Sequence, residues 1–501
     1  MTKPSFNKFN KEFRKNSPQI VWNQYKTKRN FDPVPVLMNL ASKESYSFLL
    51  ESVEGGKIKG RYTFYGSKAK IAWNCKKNKS KIKINYSNGT SKEIVKNKGP
   101  LIALQEFISQ TKVLVNKKLP PMVASFVGYL GYDMVREIEK LPTNNPNLVN
   151  VPDGILFIPE ILVVFDSYAK IISVAIFIIS NKKNSQIEYA KAANTIKTTI
   201  TKINSFKGKY NNYKNTLVKK KLIIQSNTKK IDFINKVERI KKYIKAGDAF
   251  QTVISQRFNT SFSAHPIDLY KVLRTTNPSP FMYFINFKNF HIVGSSPEIL
   301  VRVRDKKITI RPIAGTRPRG KNKKQDDRYK KSLLKDPKEI AEHLMLLDLG
   351  RNDVGKVAMI DSVKVTDKFK IEKYSHVMHI VSNVEGKLNK DFDIIDALKA
   401  GFPAGTLTGA PKVRAMEIID ELEKERRSVY AGGLGYFSLN GNMDTCIVLR
   451  TAVIINKLLH VQAGAGIVAD SVPEKEFEET VNKAKAIINA AEIAANYMKG
   501  K

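Results

Sequence analysis

Two pairs of glutamates carry the first chemical signal in this chain. Glu339 and Glu342 lie in KEIAEHLMLLDLGRND (338–353), and Glu476 and Glu479 lie in VPEKEFEETVNKAKA (472–486). A spacing of three puts both carboxylates of a pair on one helix face. Like charges so placed repel unless something positive sits between or beside them. Two helices that each offer two carboxylates make a cage of hard oxygens. With no cysteine nearby, Mg²⁺ is the ion that suits such a cage, since it takes few direct carboxylates and keeps several waters. The same spacing also serves four solvated glutamates, because Glu is a good helix former.

Three glycine-rich segments and one histidine extend the list. Gly464-Ala465-Gly466 follows an apolar strand and can present backbone N–H groups to an anion. IAGTRPRG (313–320) combines a turn, a hydroxyl and two guanidiniums, a set suited to a carboxylate. GTLTGAP (405–411) precedes a helix with proline near its first turn, a place where anions bind. None has Walker or Rossmann spacing, so no nucleotide is inferred. Glycine loops also serve as plain turns. His379, in VMHIV (377–381), alternates with apolar neighbours as on a strand. It is either a structural hydrogen-bonder or a neutral imidazole poised for proton transfer.

These residues need rigid elements to hold them. The stripe Ile340, Leu344 and Leu347 predicts a helix buried along that line. Helices are also expected over Ile231–Ala246, ending at Gly247, over Val413–Leu422 and over Glu476–Met498. Strands are expected over Thr445–Ile454 and Leu459–Val468, and a hairpin over Ile161–Asp166 and Ile171–Ile179 with its turn at Ser167–Lys170. Mixed strands and helices without strict alternation predict an α+β fold on large sheets. Residues 1–30 read as a basic extension, frayed or loosely docked. Residues 31–205 form an N-terminal domain, 206–230 a basic connector and 231–501 a second domain. From Asn181 to Lys245 there are 18 Lys+Arg against 3 Asp+Glu, which predicts a solvated helical connector.

Composition bounds the functions. With 501 residues, 42% of them hydrophobic, the chain can bury a large core. No apolar run is long enough for a membrane span, and the first residues hold no apolar core of a secretory signal, so the cytoplasm is expected. The two cysteines, Cys75 and Cys446, build neither a disulfide framework nor a zinc site. The net charge of +40 raises a nucleic-acid partner. No recognisable nucleic-acid module accompanies it, so a lysine-rich solvated surface is the expectation. Such a field can still draw in a small dianion.

Together the motifs GSSPEIL (294–300), RPIAGTRPRG (311–320), KEIAEHLMLLDLGRND (338–353), VMHIVSNVEG (377–386), GTLTGAPKVRAMEIID (405–420), DTCIVLRTAV (444–453) and QAGAGIVADSVPEKEFEETVNKAKA (462–486) resemble the large subunit, component I, of anthranilate synthase. They cover the last half of the chain, and LLESVEGGKIKGRYTF (49–64) adds to the resemblance. It implies a chorismate-utilising fold with two large sheets packed at a steep angle and helices outside. It also implies that Glu342 and Glu479 hold Mg²⁺ directly while Glu339 and Glu476 bind its waters. By the same carry-over Gly315, Thr316, Tyr430, Arg450, Gly464, Ala465, Gly466 and Lys483 hold chorismate, with Arg450 on the enolpyruvyl carboxylate and Thr406 adding a hydrogen bond. Glu298 becomes the general acid for the leaving 4-hydroxyl. His379 assists removal of the ring proton as pyruvate leaves. The implied reaction is attack of ammonia at C2, then elimination to anthranilate.

Two positions divide this family's branches. Water-using relatives place a lysine where this chain has Gln251, and aminodeoxychorismate synthases commonly place one where it has Ala314. Gln251 favours amination and Ala314 favours anthranilate; aminodeoxychorismate synthase is the alternative. Neither cysteine sits in a glutaminase-like turn, so ammonia is expected from a separate glutamine amidotransferase subunit or from ammonium. The resemblance further implies a tryptophan effector site between LLES (49–52) and NPSPFM (277–282), using Ser52, Pro280, Phe281 and Met282. Ser52 as a helix cap and NPSP as a rigid turn are the plainer alternatives.

Overall fold

The computed structural model describes residues 2–497 other than 16, 28–31, 55–57, 87–88, 97, 112, 117, 121, 143–144, 180–183, 208–220 and 375–376. Its strands form two antiparallel ladders that share a corner. The first runs, neighbour to neighbour, through Gln19–Lys26, Ile171–Ile178, Gly154–Asp166, Ile58–Lys76, Ser47–Glu54, Phe281–Asn286, Phe290–Ser296, Thr451–Ile455, Leu458–Ile467 and Gln251–Ser261. The second runs through Ser91–Val95, Lys79–Asn85, the other end of Ile58–Lys76, Gly154–Asp166 again, Ser125–Leu130, Gly433–Ser438, Met443–Ile447, Ile299–Arg304, Lys307–Ile310 and Val377–Lys387. Ile313–Pro318 and Lys364–Lys373 flank that last strand. The corner is made by the two longest strands. Their register shifts between Ala69 and Ile71, beside Pro159, and each strand passes there from one sheet to the other. A bulge of this kind bends a strand without ending its pairing.

Alternation divides the core in two. Ile20, Trp22, Tyr283, Ile285 and Ile292 face one apolar cluster, shared with the second sheet through Phe126, Leu434 and Ile447. Val21, Met282, Phe284 and Val293 face the other. That outer cluster is covered by helices Phe6–Phe13, Val34–Lys43, Ser185–Ser205, Pro266–Thr276 and Pro473–Tyr497. Strands from residues 47–178 and 251–467 contribute to both clusters. Among the described residues no helix is long and apolar enough to cross a membrane.

The hairpin, the helices Lys230–Lys245 and Lys412–Leu422 and the strand Leu458–Ile467 lie where the pattern places them. Gly247, at φ +86°, closes the first of these helices as expected of a C-terminal glycine. Four expectations need correction. The basic start is not frayed: Phe9 and Phe13 are buried, and Gln19–Lys26 pairs with Ile171–Ile178. Each fully buried Phe contributes roughly 1.5–3 kcal/mol, enough to dock so short a helix. The stretch after Asn181 is not merely solvated. Helix Ser185–Ser205 buries Ala192, Ile196 and Ile203, and its lysines occupy only the outer face. Of the connector 206–230, residues 208–220 lie outside the described residues.

The third correction concerns helix Pro337–Gly355. It buries His343, Leu346, Leu347, Gly350 and Val354, while Leu344 is half-exposed. The apolar count misses this face because a histidine and a glycine lie on it. His343 Nε2 lies 2.7 Å from Ser382 Oγ, and Gly350 faces Ile310 and Val384. The fourth is the single strand expected over Thr445–Ile454. It is two strands, Met443–Ile447 and Thr451–Ile455, one in each sheet. The break is at Arg450, whose φ of +46° is left-handed and ends the ladder.

Candidate active site

That break places Arg450 where the sheets diverge. Its guanidinium is half-buried and, among the described residues, makes no hydrogen bond or ion pair. Burial lowers its pKa, with Tyr374 and Glu298 opposing that shift. A cation held this way is a ready carboxylate site.

Glu298 lies in the turn between Phe290–Ser296 and Ile299–Arg304 and is buried. Burial raises its pKa to about 8, against the Thr406 hydrogen bond, a backbone bond at Ile313 and the charges of Arg450 and Lys483. Thr406 Oγ1 donates to Glu298 Oε1 at 3.0 Å. A cavity lined by Glu298, Leu346, Gly350, Asp353, Gly405 and Thr406 adjoins the acid. The carboxyl is therefore protonated at neutral pH, as a proton donor must be.

His379 sits on Val377–Lys387, as its alternation predicts. Its Nδ1 lies 3.2 Å from the Gly315 carbonyl and 3.0 Å from Thr316 Oγ1. A carbonyl only accepts, so Nδ1 carries the proton and Nε2 keeps its lone pair. Burial, with Arg450 adding to it, lowers the pKa to about 4, so the ring is neutral at pH 7. Arg450 and Lys483 act electrostatically on both Glu298 and His379, so both cations lie within electrostatic reach of the acid and the imidazole.

The glycines shape this space by close approach. At Gly466 a Cβ would stand 2.6 Å from Gln251 Nε2, and at Gly464 it would stand 2.8 Å from Tyr430 Oη. Ala465, between them, is buried on the opposite side with Ile254 and Ile418, so only its backbone faces the site. Lys483 Nζ donates to the Gly464 carbonyl at 2.9 Å. Gly315 has φ +77°, and a Cβ there would press Glu339 Oε2 at 3.0 Å.

The glutamate pairs meet beside this space. Glu342 feels Glu339 and Glu479; Glu476 feels Glu479; Lys338 acts on both Glu342 and Glu476. Burial raises the pKa of Glu342 and of Glu476, and the neighbouring carboxylates add to it. Gln251 Nε2 donates to Glu342 Oε1 at 3.0 Å, while Gln251 Oε1 is buried without a partner. Two positive partners are now visible. Arg317 reaches Glu339 at 2.8 Å, and Lys483 reaches Glu479 at 2.7 Å. Glu342 and Glu476 form no direct ion pair among the described residues, with Lys338 acting on them only from a distance. Among the described residues no three acidic, His or Cys side chains converge closely enough to hold a metal unaided. The donor set still fits Mg²⁺, which needs only one or two direct carboxylates when waters and a ligand oxygen complete its shell.

The two guanidiniums of IAGTRPRG are not free for a ligand, contrary to the sequence expectation. Arg317 is held by Glu339 and Asp336, and Arg319 by Asp326. The acidic partners come from the two helices that follow, Lys323–Lys335 and Pro337–Gly355, and their approach is a tertiary fact that the local motif does not carry. Sequence reasoning also missed Tyr374, whose ring lies 5.5 Å from that of His379. Its sequence neighbours are Lys373 and Ser375, so no apolar pattern marks it.

Away from this site, Ser47–Glu54 pairs with Phe281–Asn286, with Glu51 opposite Met282 and Ser52 and Phe281 next along their strands. Phe281 packs toward the core between the sheets, Met282 and Glu51 lie on the helix face, and Pro280 immediately precedes the strand. Glu51 is fixed there by Tyr270 Oη at 2.6 Å and by two bonds from Arg274.

Comparison with known proteins places this geometry. Residues 48–489 match the family model described as chorismate binding enzyme. The chain is 45% identical to anthranilate synthase component 1 of Cereibacter sphaeroides over 98% of both chains. It is 46% identical to that of Pseudomonas aeruginosa, over 94% of this chain and 95% of the other. Among solved structures, anthranilate synthase component I from Streptococcus pneumoniae superposes with a TM-score of 0.74 at 32% identity, covering 93% of this chain and 100% of that one. The menaquinone-specific isochorismate synthase of Escherichia coli superposes at 0.69 with 18% identity, over 97% and 99%, and shares the fold.

Proposed function

The chain belongs to the chorismate binding enzymes, in the anthranilate synthase component 1 group, and from that premise we propose that it is a lyase that aminates chorismate and releases anthranilate and pyruvate. The observation that carries the reading is the pairing of Glu298, held protonated beside Thr406, with the neutral His379, across an unpartnered Arg450.

Each residue then has a task. Arg450 grips the enolpyruvyl carboxylate, and Tyr430, Gly315, Thr316 and the Gly464–Gly466 backbone shape the ring site. Ammonia attacks C2 as the ring electrons shift and the C4–O bond breaks. Glu298 delivers its proton to that oxygen, which leaves as water. The resulting carboxylate is stabilised by Arg450 and Lys483. His379 Nε2 then takes the ring proton while the ring C–O bond breaks, and the enolpyruvate that leaves takes up a proton at its methylene carbon to become pyruvate. Gln251 cannot act as a base on water, and Ala314 offers no nucleophile. When bound, Mg²⁺ would be held by Glu342 and Glu479 directly and by Glu339 and Glu476 through waters, and would withdraw charge from the ring through its C1 carboxylate.

Neither cysteine serves glutamine hydrolysis. Cys75 and Cys446 are both buried, and burial pushes both thiols up. A nucleophilic cysteine needs the reverse. Ammonia comes from a separate amidotransferase subunit. The purified chain should therefore turn over chorismate with Mg²⁺ and high ammonium but not with glutamine. Glutamine-dependent turnover by the homogeneous chain would contradict this.

Tryptophan is the proposed inhibitor, bound at Ser52, Pro280, Phe281 and Met282. The support is that two segments far apart in sequence become neighbouring strands. Ser52→Phe fills the proposed site. It should shift the tryptophan inhibition curve at fixed chorismate by at least about tenfold, with kcat nearly unchanged. Superimposable curves for the two proteins, or a wild type indifferent to millimolar tryptophan, would defeat the assignment.

A further inference from the structure

Beneath the floor of the site lies a fully buried ion pair that the reaction does not use. Arg427 is 2% exposed and Glu423 is 6% exposed. Arg427 grips Glu423 with two bonds, Nε to Oε2 at 2.9 Å and Nη2 to Oε1 at 2.7 Å. Its remaining hydrogen bonds go to main-chain carbonyls, Nη1 to Leu407 at 2.7 Å and Nη2 to Val253 at 2.6 Å. The guanidinium also lies 5.7 Å from the ring of Tyr430 and 4.9 Å from that of Tyr132. Glu423 Oε1 in turn accepts from Ser255 N–H at 2.8 Å and Ser255 Oγ at 2.7 Å.

Apart from the one with Tyr132, each of these contacts ends at a segment that touches substrate in the proposed reaction, or at its immediate neighbour. Leu407 adjoins Thr406, which bonds the acid Glu298. Val253 and Ser255 stand opposite Gly466 and Gly464 in the sheet. Tyr430 is itself a substrate residue. The neighbouring Ser428 ties the pair to the N-terminal part of the chain, since its N–H donates to Asp133 and its carbonyl accepts from Tyr132 N–H.

We propose that Arg427 and Glu423 form a positioning pair that sets the acid, the glycine strand and Tyr430 in mutual register for catalysis. The inference rests on the functional reading above. A pair present only for stability has no need of such a distribution, because well-packed apolar residues of the same volume often stabilise as well as a buried ion pair. They cannot hold two carbonyls from separate segments at fixed distance. An error of about 1 Å in such a site costs on the order of 100-fold in rate.

The test uses two variants of the full chain, with Arg427→Met alone as a stability control, and three readouts: kcat, KM for chorismate and thermal midpoint. Arg427→Lys keeps the charge beside Glu423 but loses the planar fork. Its kcat should fall between about 10- and 100-fold, and its KM should rise several-fold. Glu423→Gln/Arg427→Met removes both charges, and its thermal midpoint should exceed that of Arg427→Met alone, while its kcat stays as low as that of Arg427→Lys. Values of kcat and KM within threefold of wild type in either folded variant would overturn the proposal. So would failure of both to fold, which would make the pair structural. The wild type run alongside separates the two claims: if it forms no anthranilate, the functional reading itself has failed.

Discussion

Replacing Glu298 by glutamine should lower kcat by about 10²- to 10⁴-fold, the usual range for loss of a general acid. Glutamine keeps the size and can still accept from Thr406, but it has no proton to give. The fold should survive, because the wild-type carboxyl is already uncharged when buried. The same residue sets a pH dependence. An acid whose pKa is raised to about 8 is active below that value and lost as pH rises through it. The wild-type profile of kcat/KM should therefore fall on the alkaline side near pH 8. The variant's residual activity should not show that limb. Steady-state kinetics from pH 6 to 10 reads both features. A Glu298→Gln enzyme within tenfold of wild type, or with the limb intact, would remove Glu298 from the mechanism.

The second large effect concerns the carboxylate clamp. Glu342→Gln should lower turnover at limiting Mg²⁺ by more than about 100-fold, since substitution of mere supporting partners at a metal site already costs 10–100-fold. Its size and its bond to Gln251 are preserved, so the fold is expected to remain. A direct titration with Mn²⁺, followed by electron paramagnetic resonance in the presence of chorismate, supplies a readout separate from activity. Wild type should bind the ion and the variant should not. Equal binding, or near-normal turnover at limiting Mg²⁺, would contradict the assignment of Glu342 as a ligand.

What the sequence exposed, and what it hid, follows from the range of the interactions. Glu339 and Glu342, Glu476 and Glu479, and the strand position of His379 are local patterns set by helix and strand periods, and the two glutamate pairs lie within electrostatic reach of each other. Arg450 is different. Its left-handed backbone splits an apolar run that reads as one strand, because nothing in CIVLRTAV marks a break. Leu344 looked buried and His343 did not, since a histidine satisfied by Ser382 is invisible to an apolar count. Arg317 and Arg319 looked free because their carboxylate partners belong to the packing of two later helices. Arg427 and Glu423 read as an ordinary i,i+4 pair, the spacing of countless solvated ones; only their burial distinguishes them. Phe9 and Phe13 were masked by the lysines around them, although their spacing of four was helical throughout.

The central claim is the reaction itself. The most direct measurement is incubation of the purified chain with chorismate, Mg²⁺ and ammonium, following anthranilate by its fluorescence and pyruvate by a coupled assay. The account predicts both products at equal rates, with neither formed when ammonium is omitted. Consumption of chorismate to an aminated product without pyruvate would mark an aminodeoxychorismate synthase, and no consumption at all would contradict the account outright.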